Sequence, residues 1–152
     1  MVGCASDGLE RVMLCSVRLR RALLVATAIS CAATDLLHKL FDHAEFHHAR
    51  SPLSALAMAI LVAALVVLVP RISSNAAAIG AGIACGGALG NLVSVLAWSQ
   101  GVPDPLVVAG DTQGLAFNLA DLFTLSGDVV LISAAVVHGM RHREGLRERV
   151  SA

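Results

Sequence analysis

An amide and a carboxylate three residues apart, Asn118 and Asp121, lie in a stretch otherwise made of Leu, Ala and Phe. On a helix such a pair shares a face, so the amide can bond the carboxylate or the two can grip a peptide together. A charge in a hydrocarbon-spanning run costs at least about 2.5–3.5 kcal/mol to insert, which marks it for use. Other polar residues sit in similar surroundings. Asp35 and Lys39 are spaced i, i+4 with the acid first, the favourable order for a helical ion pair. Gly87, Asn91 and Ser94 follow the i, i+4, i+7 spacing of one helix face. Asp128 stands seven residues after Asp121, about 10.5 Å along a helix at ~1.5 Å per residue, too far for the two to share a proton. An interhelical hydrogen bond is its expected role. Two carboxylates at close range can divide the acid and base work of a hydrolysis. His43, His47 and His48, with Asp42 and Glu45, offer one i, i+4 His pair without the further ligand spacing of a metal site. They read as a solvated loop, and no metal or cofactor is expected.

The elements that hold these residues are apolar helices. The 152-residue chain is 57% hydrophobic and 14% charged, with a mean hydropathy of +0.77, too apolar and too sparsely charged for a soluble domain. Its basic and acidic residues balance at eleven each, which argues for neither a nucleic-acid nor an acidic partner, and no nucleic acid is expected. Cys4, Cys15, Cys31 and Cys85 lack redox or metal spacing and read as small apolar residues. Four apolar runs are long enough to cross a bilayer, at about 22–41, 53–69, 76–98 and 115–138. Residues 1–21 form a basic leading segment, 22–140 the membrane domain and 141–152 a basic tail. Arg20-Arg21 followed by an apolar run ending at Ser30-Cys31 imitates a lipid-modified signal, but the run continues to Phe41, so an uncleaved first helix is expected. Pro52 suits the first turn of the second helix, whose Ala-Leu-Val composition suits a lipid-facing position. In the third run Gly82, Gly86 and Gly90 leave a strip without side chains on which another helix can lie.

The placement of charge sets the orientation. Lys and Arg number four before the first run, one between the second and third, and four after the last; the opposite loops hold only Lys39 and Arg50. Both termini are therefore expected in the cytoplasm, with loops 42–52 and 99–114 outside. On that topology Asp35 and Asp121 each lie six residues from the outer end of a span, roughly 9 Å deep, level with Asn91 and Ser94.

Gly86-Gly87-Ala88-Leu89-Gly90-Asn91-Leu92-Val93 and Ala116-Phe117-Asn118-Leu119-Ala120-Asp121, with Gly127 six residues on, resemble the two signature segments of the lipoprotein signal peptidases (signal peptidase II). Asp35-Leu36-Leu37-His38-Lys39 is similar to that family's Asp-x-x-x-Lys segment, and the resemblance spans roughly 22–140. It implies an all-α bundle of four transmembrane helices in the cytoplasmic (inner) membrane. It also implies an aspartic endopeptidase that cuts a diacylglyceryl-modified prolipoprotein just before its lipidated Cys, near the outer face. Its partners would be that precursor or its signal peptide and membrane lipid. The resemblance makes Asp121 one catalytic carboxylate, with Asn91 and Asn118 positioning substrate or water, and places its Asp partner three residues after Asn91. This chain has Ser94 there, and Val95 where the pattern has Arg. A serine hydroxyl is no general base unless a neighbour activates it. Asp35, at the depth of Asp121, is one substitute partner; Asp104 or Asp111, from the second outer loop, is another, and Asp104 matches an acidic position the family often has there. The first outer loop is short beside that family's β-rich outer segment. Two alternatives follow from Ser94 and the buried acids: a non-catalytic relative that binds a lipidated peptide or membrane partner, and a small proton-coupled carrier.

Overall fold

The computed structural model describes residues 3–108 and 114–151, with side chains over 14–108 and 114–143. Four long helices dominate: α1 (Gly3–Phe41), α2 (Pro52–Leu68), α3 (Asn75–Ala97) and α4 (Leu119–Ser151). Each contains a stretch long and apolar enough to span a membrane, at Leu14–Phe41, Pro52–Arg71, Asn75–Ala97 and Leu119–Arg143. The chain is an all-α, four-helix membrane protein. The basic leading segment expected before the first span is, from Gly3, part of the same continuous helix.

α3 is the axis of the bundle. It packs chiefly on α1 and α4 and more lightly on α2. Lipid is as apolar as a leucine, so helices in a membrane associate through close contact rather than burial of oil, and small residues let backbones approach. The strip Gly82, Gly86, Gly90 receives α1: a Cβ at Gly86 would stand 2.5 Å from Cys31 Cβ and 2.8 Å from the Ala28 carbonyl oxygen. α4 reciprocates with Gly127, against the backbone of Ala84, while Gly80 meets Leu131. Leu24, Ala28, Ala77, Ala78, Ala81 and Cys85 close the core around Val69. α2 contributes no buried residue, as its uniform apolar composition suggests, and presents its sides to the surroundings.

Capping fixes the helix starts. Ser51 Oγ accepts from the Ser54 amide with Pro52 in the first turn, and Ser74 Oγ accepts from the Ala77 amide. At the end near the termini, Arg20 Nε donates to the Pro70 carbonyl at 2.8 Å, tying α1 to the turn after α2.

The opposite end departs from the sequence reading. Loops expected to be irregular form two small antiparallel sheets: β1 (Phe46–His48) pairs with β2 (Val102–Asp104), and β3 (Leu106–Val108) with β4 (Leu115–Phe117). Gly101 makes the turn into β2 at φ +108, a left-handed conformation, with the His48 carbonyl so near that a Cβ would lie 2.7 Å from it. Because Leu115–Phe117 pairs as a strand, α4 starts at Leu119 rather than near 115. Asp121 therefore occupies the first helical turn, not a position two turns down the span.

Candidate active site

The start of α4 is a capping box. Asn118 Oδ1 accepts from the Asp121 amide at 3.2 Å, and Asp121 Oδ2 accepts from the Asn118 amide at 3.3 Å. Such reciprocal bonds satisfy two helix-terminal donors at once. The Asn-x-x-Asp spacing thus has a local structural cause, and its two side chains are fixed before any substrate arrives. The Ala120 amide, another donor without an intrahelical acceptor, bonds Asp35 Oδ1 of α1 at 2.8 Å.

Below the cap lies a closed ionic cluster. Lys39 Nζ donates to Asp35 Oδ2 at 2.7 Å, Asn91 Oδ1 at 3.0 Å and Ser94 Oγ at 3.1 Å. An ammonium has three donors and no acceptor, so all its hydrogens are placed. The Lys39 and Asp35 side chains are both fully buried. Ser94, equally buried, gives its own hydrogen to the Gly90 carbonyl at 2.7 Å. Lys39 also settles the orientation of Asn91: its oxygen must face the ammonium, so its NH2 faces α4, where it donates to Asp121 Oδ1 at 2.9 Å. Asp35, Lys39, Asn91, Ser94 and Asp121 are one connected network.

Above the cap the strands bring in a second carboxylate. Asn118 spends its amide oxygen on the Asp121 amide, which leaves Nδ2 to donate to Asp104 Oδ1 at 2.7 Å, and more distantly to the Pro103 carbonyl at 3.4 Å. Asp104 Oδ2 meets His48 Nδ1. The ladder explains that contact: His48 lies opposite Val102 and Phe46 opposite Asp104, so His48 and Asp104 are diagonal neighbours on one face. Two residues beyond His48, Arg50 Nη2 lies 3.5 Å from Asp121 Oδ1. Each of the three carboxylates therefore has its own basic neighbour: Lys39 for Asp35, His48 for Asp104, Arg50 for Asp121. They differ in access, since Asp35 is sealed and Asp104 is 3% exposed, while the Asp121 side chain is 36% exposed.

Asn91, Asn118 and Asp121 thus come together. Ser94 belongs to the sealed cluster and reaches Asp121 only through Lys39 and Asn91. Asp35 has both oxygens engaged, by Lys39 and by the Ala120 amide of α4, and among the described residues no hydrogen bond joins it to Asp121. Asp104 is the carboxylate that shares a partner with Asp121. Asp111 lies outside the described residues. Asp128 stands exposed on α4 and forms no interhelical hydrogen bond among the described residues. The helix turns Gly127 inward to Ala84, and that rotation sends its neighbour outward. The loop histidines part company. His48 joins the site, whereas His43 and His47 line a cavity of about 250 Å³ beside Trp98 and Gln100. No group of three or more His, Cys, Asp or Glu among the described residues has metal-holding geometry. Sequence reasoning gave Arg50 no role beyond its charge; the alternation His48, Arg50 leading out of a strand is the signal that places both on one side.

The helical membrane bundle thus presents two carboxylates at one end, Asp104 and Asp121, joined through Asn118. Residues 20–137 match the family described as signal peptidase (SPase) II, and the chain belongs to that family. A comparison with curated proteins finds no match.

Proposed function

We propose that the chain is a membrane endopeptidase that removes the signal peptide of a lipidated prolipoprotein, with Asp104 and Asp121 as its reacting carboxylates. The observation that carries this reading is Asn118, one amide bonded on one side to Asp104 and on the other locked to Asp121. Hydrolysis by paired carboxylates requires one to take a proton from water and the other to give one to the scissile carbonyl. Asp121 suits the first task. It is the more open of the two, and its negative charge faces the Arg50 guanidinium, the Asn91 amide and the positive end of α4. Asp104, enclosed beside an imidazole, suits the second. Asn91 and Asn118 hold the pair in place, and Asp35 and Lys39 hold Asn91. With both termini in the cytoplasm, as the arginine placement favours, the pair lies near the outer face of the cytoplasmic membrane.

The test is cleavage of a diacylglyceryl-modified precursor by the purified full chain in lipid nanodiscs. Asp121→Asn and Asp104→Asn should each abolish cleavage while the variants stay folded. Undiminished cleavage in either one removes that residue from the pair. The buried Ser94 favours a second reading, a non-catalytic relative that binds the precursor; binding without cleavage by the unaltered chain would establish it instead.

A further inference from the structure

Asp104 is almost completely enclosed, and each of its oxygens has one side-chain partner. The two partners differ in kind. Asn118 Nδ2 can only donate, so it bonds Asp104 in the same way whatever the charge of the carboxyl. His48 Nδ1 can donate as imidazolium or accept as neutral imidazole, so the proton between it and Oδ2 can sit on either atom without the bond being lost. Asp104 can therefore pass between carboxylate and carboxylic acid with no rearrangement of its surroundings. The His48 side chain is 37% exposed, against 4% for Asp104, so the ring connects the enclosed acid with water.

Resting on the reading of Asp104 and Asp121 as the reacting pair, we propose that His48 is the proton-supplying residue of Asp104, a positioning residue for the acid half of the reaction. His48 meets Asp104 from β2; beyond Asp104 the same network continues through Asn118 to Asp121 at the start of α4, with Arg50 beside Asp121. For the reaction, the proton shared with Nδ1 must pass to Asp104 Oδ2 as substrate enters. As Asp121 takes a proton from water, the water oxygen bonds to the scissile carbonyl carbon. The carbonyl π electrons move to oxygen, which takes the Asp104 proton. When the C–N bond breaks, a hydroxyl proton of the tetrahedral diol returns to Asp104 and the proton held by Asp121 passes to the leaving amine. The products are a carboxylic acid and an amine, and both aspartates regain their starting states. After each turnover the proton on Oδ2 passes back to Nδ1, which returns it as the next substrate enters, and His48 replaces from water through Nε2 any proton that is lost.

The experiment compares wild type, His48→Ala and His48→Gln in the nanodisc cleavage assay, over a range of pH and with and without added imidazole. Both variants should lose about 10²-fold in kcat, the lower end of what positioned proton transfer contributes, with KM little changed. Imidazole should restore cleavage to His48→Ala, whose truncated side chain leaves room for it. His48→Gln can donate to Asp104 but cannot carry a proton, so it should be as slow as the alanine variant and unresponsive to imidazole. The loss should shrink as pH falls and solvent protonates Asp104 directly. Thermal unfolding shows which variants are folded; if His48→Ala is not, His48→Gln decides by its rate and pH profile. Wild-type rates in a folded variant, or no response of folded His48→Ala to imidazole or acid, overturn the assignment of His48 alone. Absence of cleavage by the wild-type chain overturns it together with the proposed function.

Discussion

Lys39 shows how much one side chain can organise inside a membrane. Its three hydrogens reach Asp35, Asn91 and Ser94, and through Asn91 it determines which end of an amide faces Asp121. A buried ion pair adds little net stability over an apolar pair of the same shape, but removing one partner leaves a bare charge. Asp35→Asn keeps an oxygen for the Ala120 amide yet strands the ammonium, and Lys39→Met strands the carboxylate. Each should lower the unfolding free energy in detergent by about 3–5 kcal/mol, whereas the double variant should lie closer to wild type than either single one. Additive losses would show that the pair is not coupled. Spacing made part of this site legible, because Asp35 with Lys39 and Asn118 with Asp121 sit at helical intervals where pairs meet. Asp104, His48 and Arg50 were harder to see. Their proximity depends on a strand pairing between two loops, with His48 and Asp104 56 residues apart in the chain, and no local period encodes such a register.

Among the elements, α3 carries the most information in the least side chain. The glycine strip predicted to receive a helix receives α1, and the contact is tight enough to test. Gly86→Val places two methyl groups where Cys31 and Ala28 already stand, so α1 must move away from Asn91. Overpacking of this kind costs about 1–3 kcal/mol or more. The expected result is a lower melting temperature in detergent together with reduced cleavage; Leu96→Ala, at a position 83% exposed, should leave both unchanged. A Gly86→Val protein as stable as wild type would show that the strip does not hold the bundle together. Four membrane-length helices were readable from apolar run length, but their ends were not, and the start of α4 shows why. Leu115, Ala116 and Phe117 are as apolar as the helix they precede, so hydropathy alone merges them with it. The real boundary is drawn by Asn118, whose side chain caps the helix, and by the pairing of Leu115–Phe117 with β3.

At the scale of the whole molecule, one end of the bundle holds the proposed reacting pair and its partners, and at the other α1 begins and α4 ends. A membrane-impermeant thiol reagent can assign the sides. In a chain whose own cysteines are replaced, Ser99→Cys should be labelled on intact cells and Arg143→Cys only after the membrane is opened. The reverse pattern would invert the topology and place the site at the cytoplasmic face. Composition allowed the four spans to be read early, because the bilayer imposes an apolar length on any helix that crosses it; the asymmetry of arginines predicts the orientation that the labelling tests. The β-paired end follows no such rule and had to be seen.

The capping box has a consequence for the birth of the protein. Asp121 and Asn118 lie at the head of the last helix, and Asp104 in the loop just before it, so the first two-thirds of the chain contains neither half of the proposed pair. A partly synthesised molecule already embedded in the membrane holds Asp35, Lys39 and Asn91 but nothing for them to position. On the proposed reading the pair is complete only once α4 has entered the bundle and its first turn has closed on Asp35.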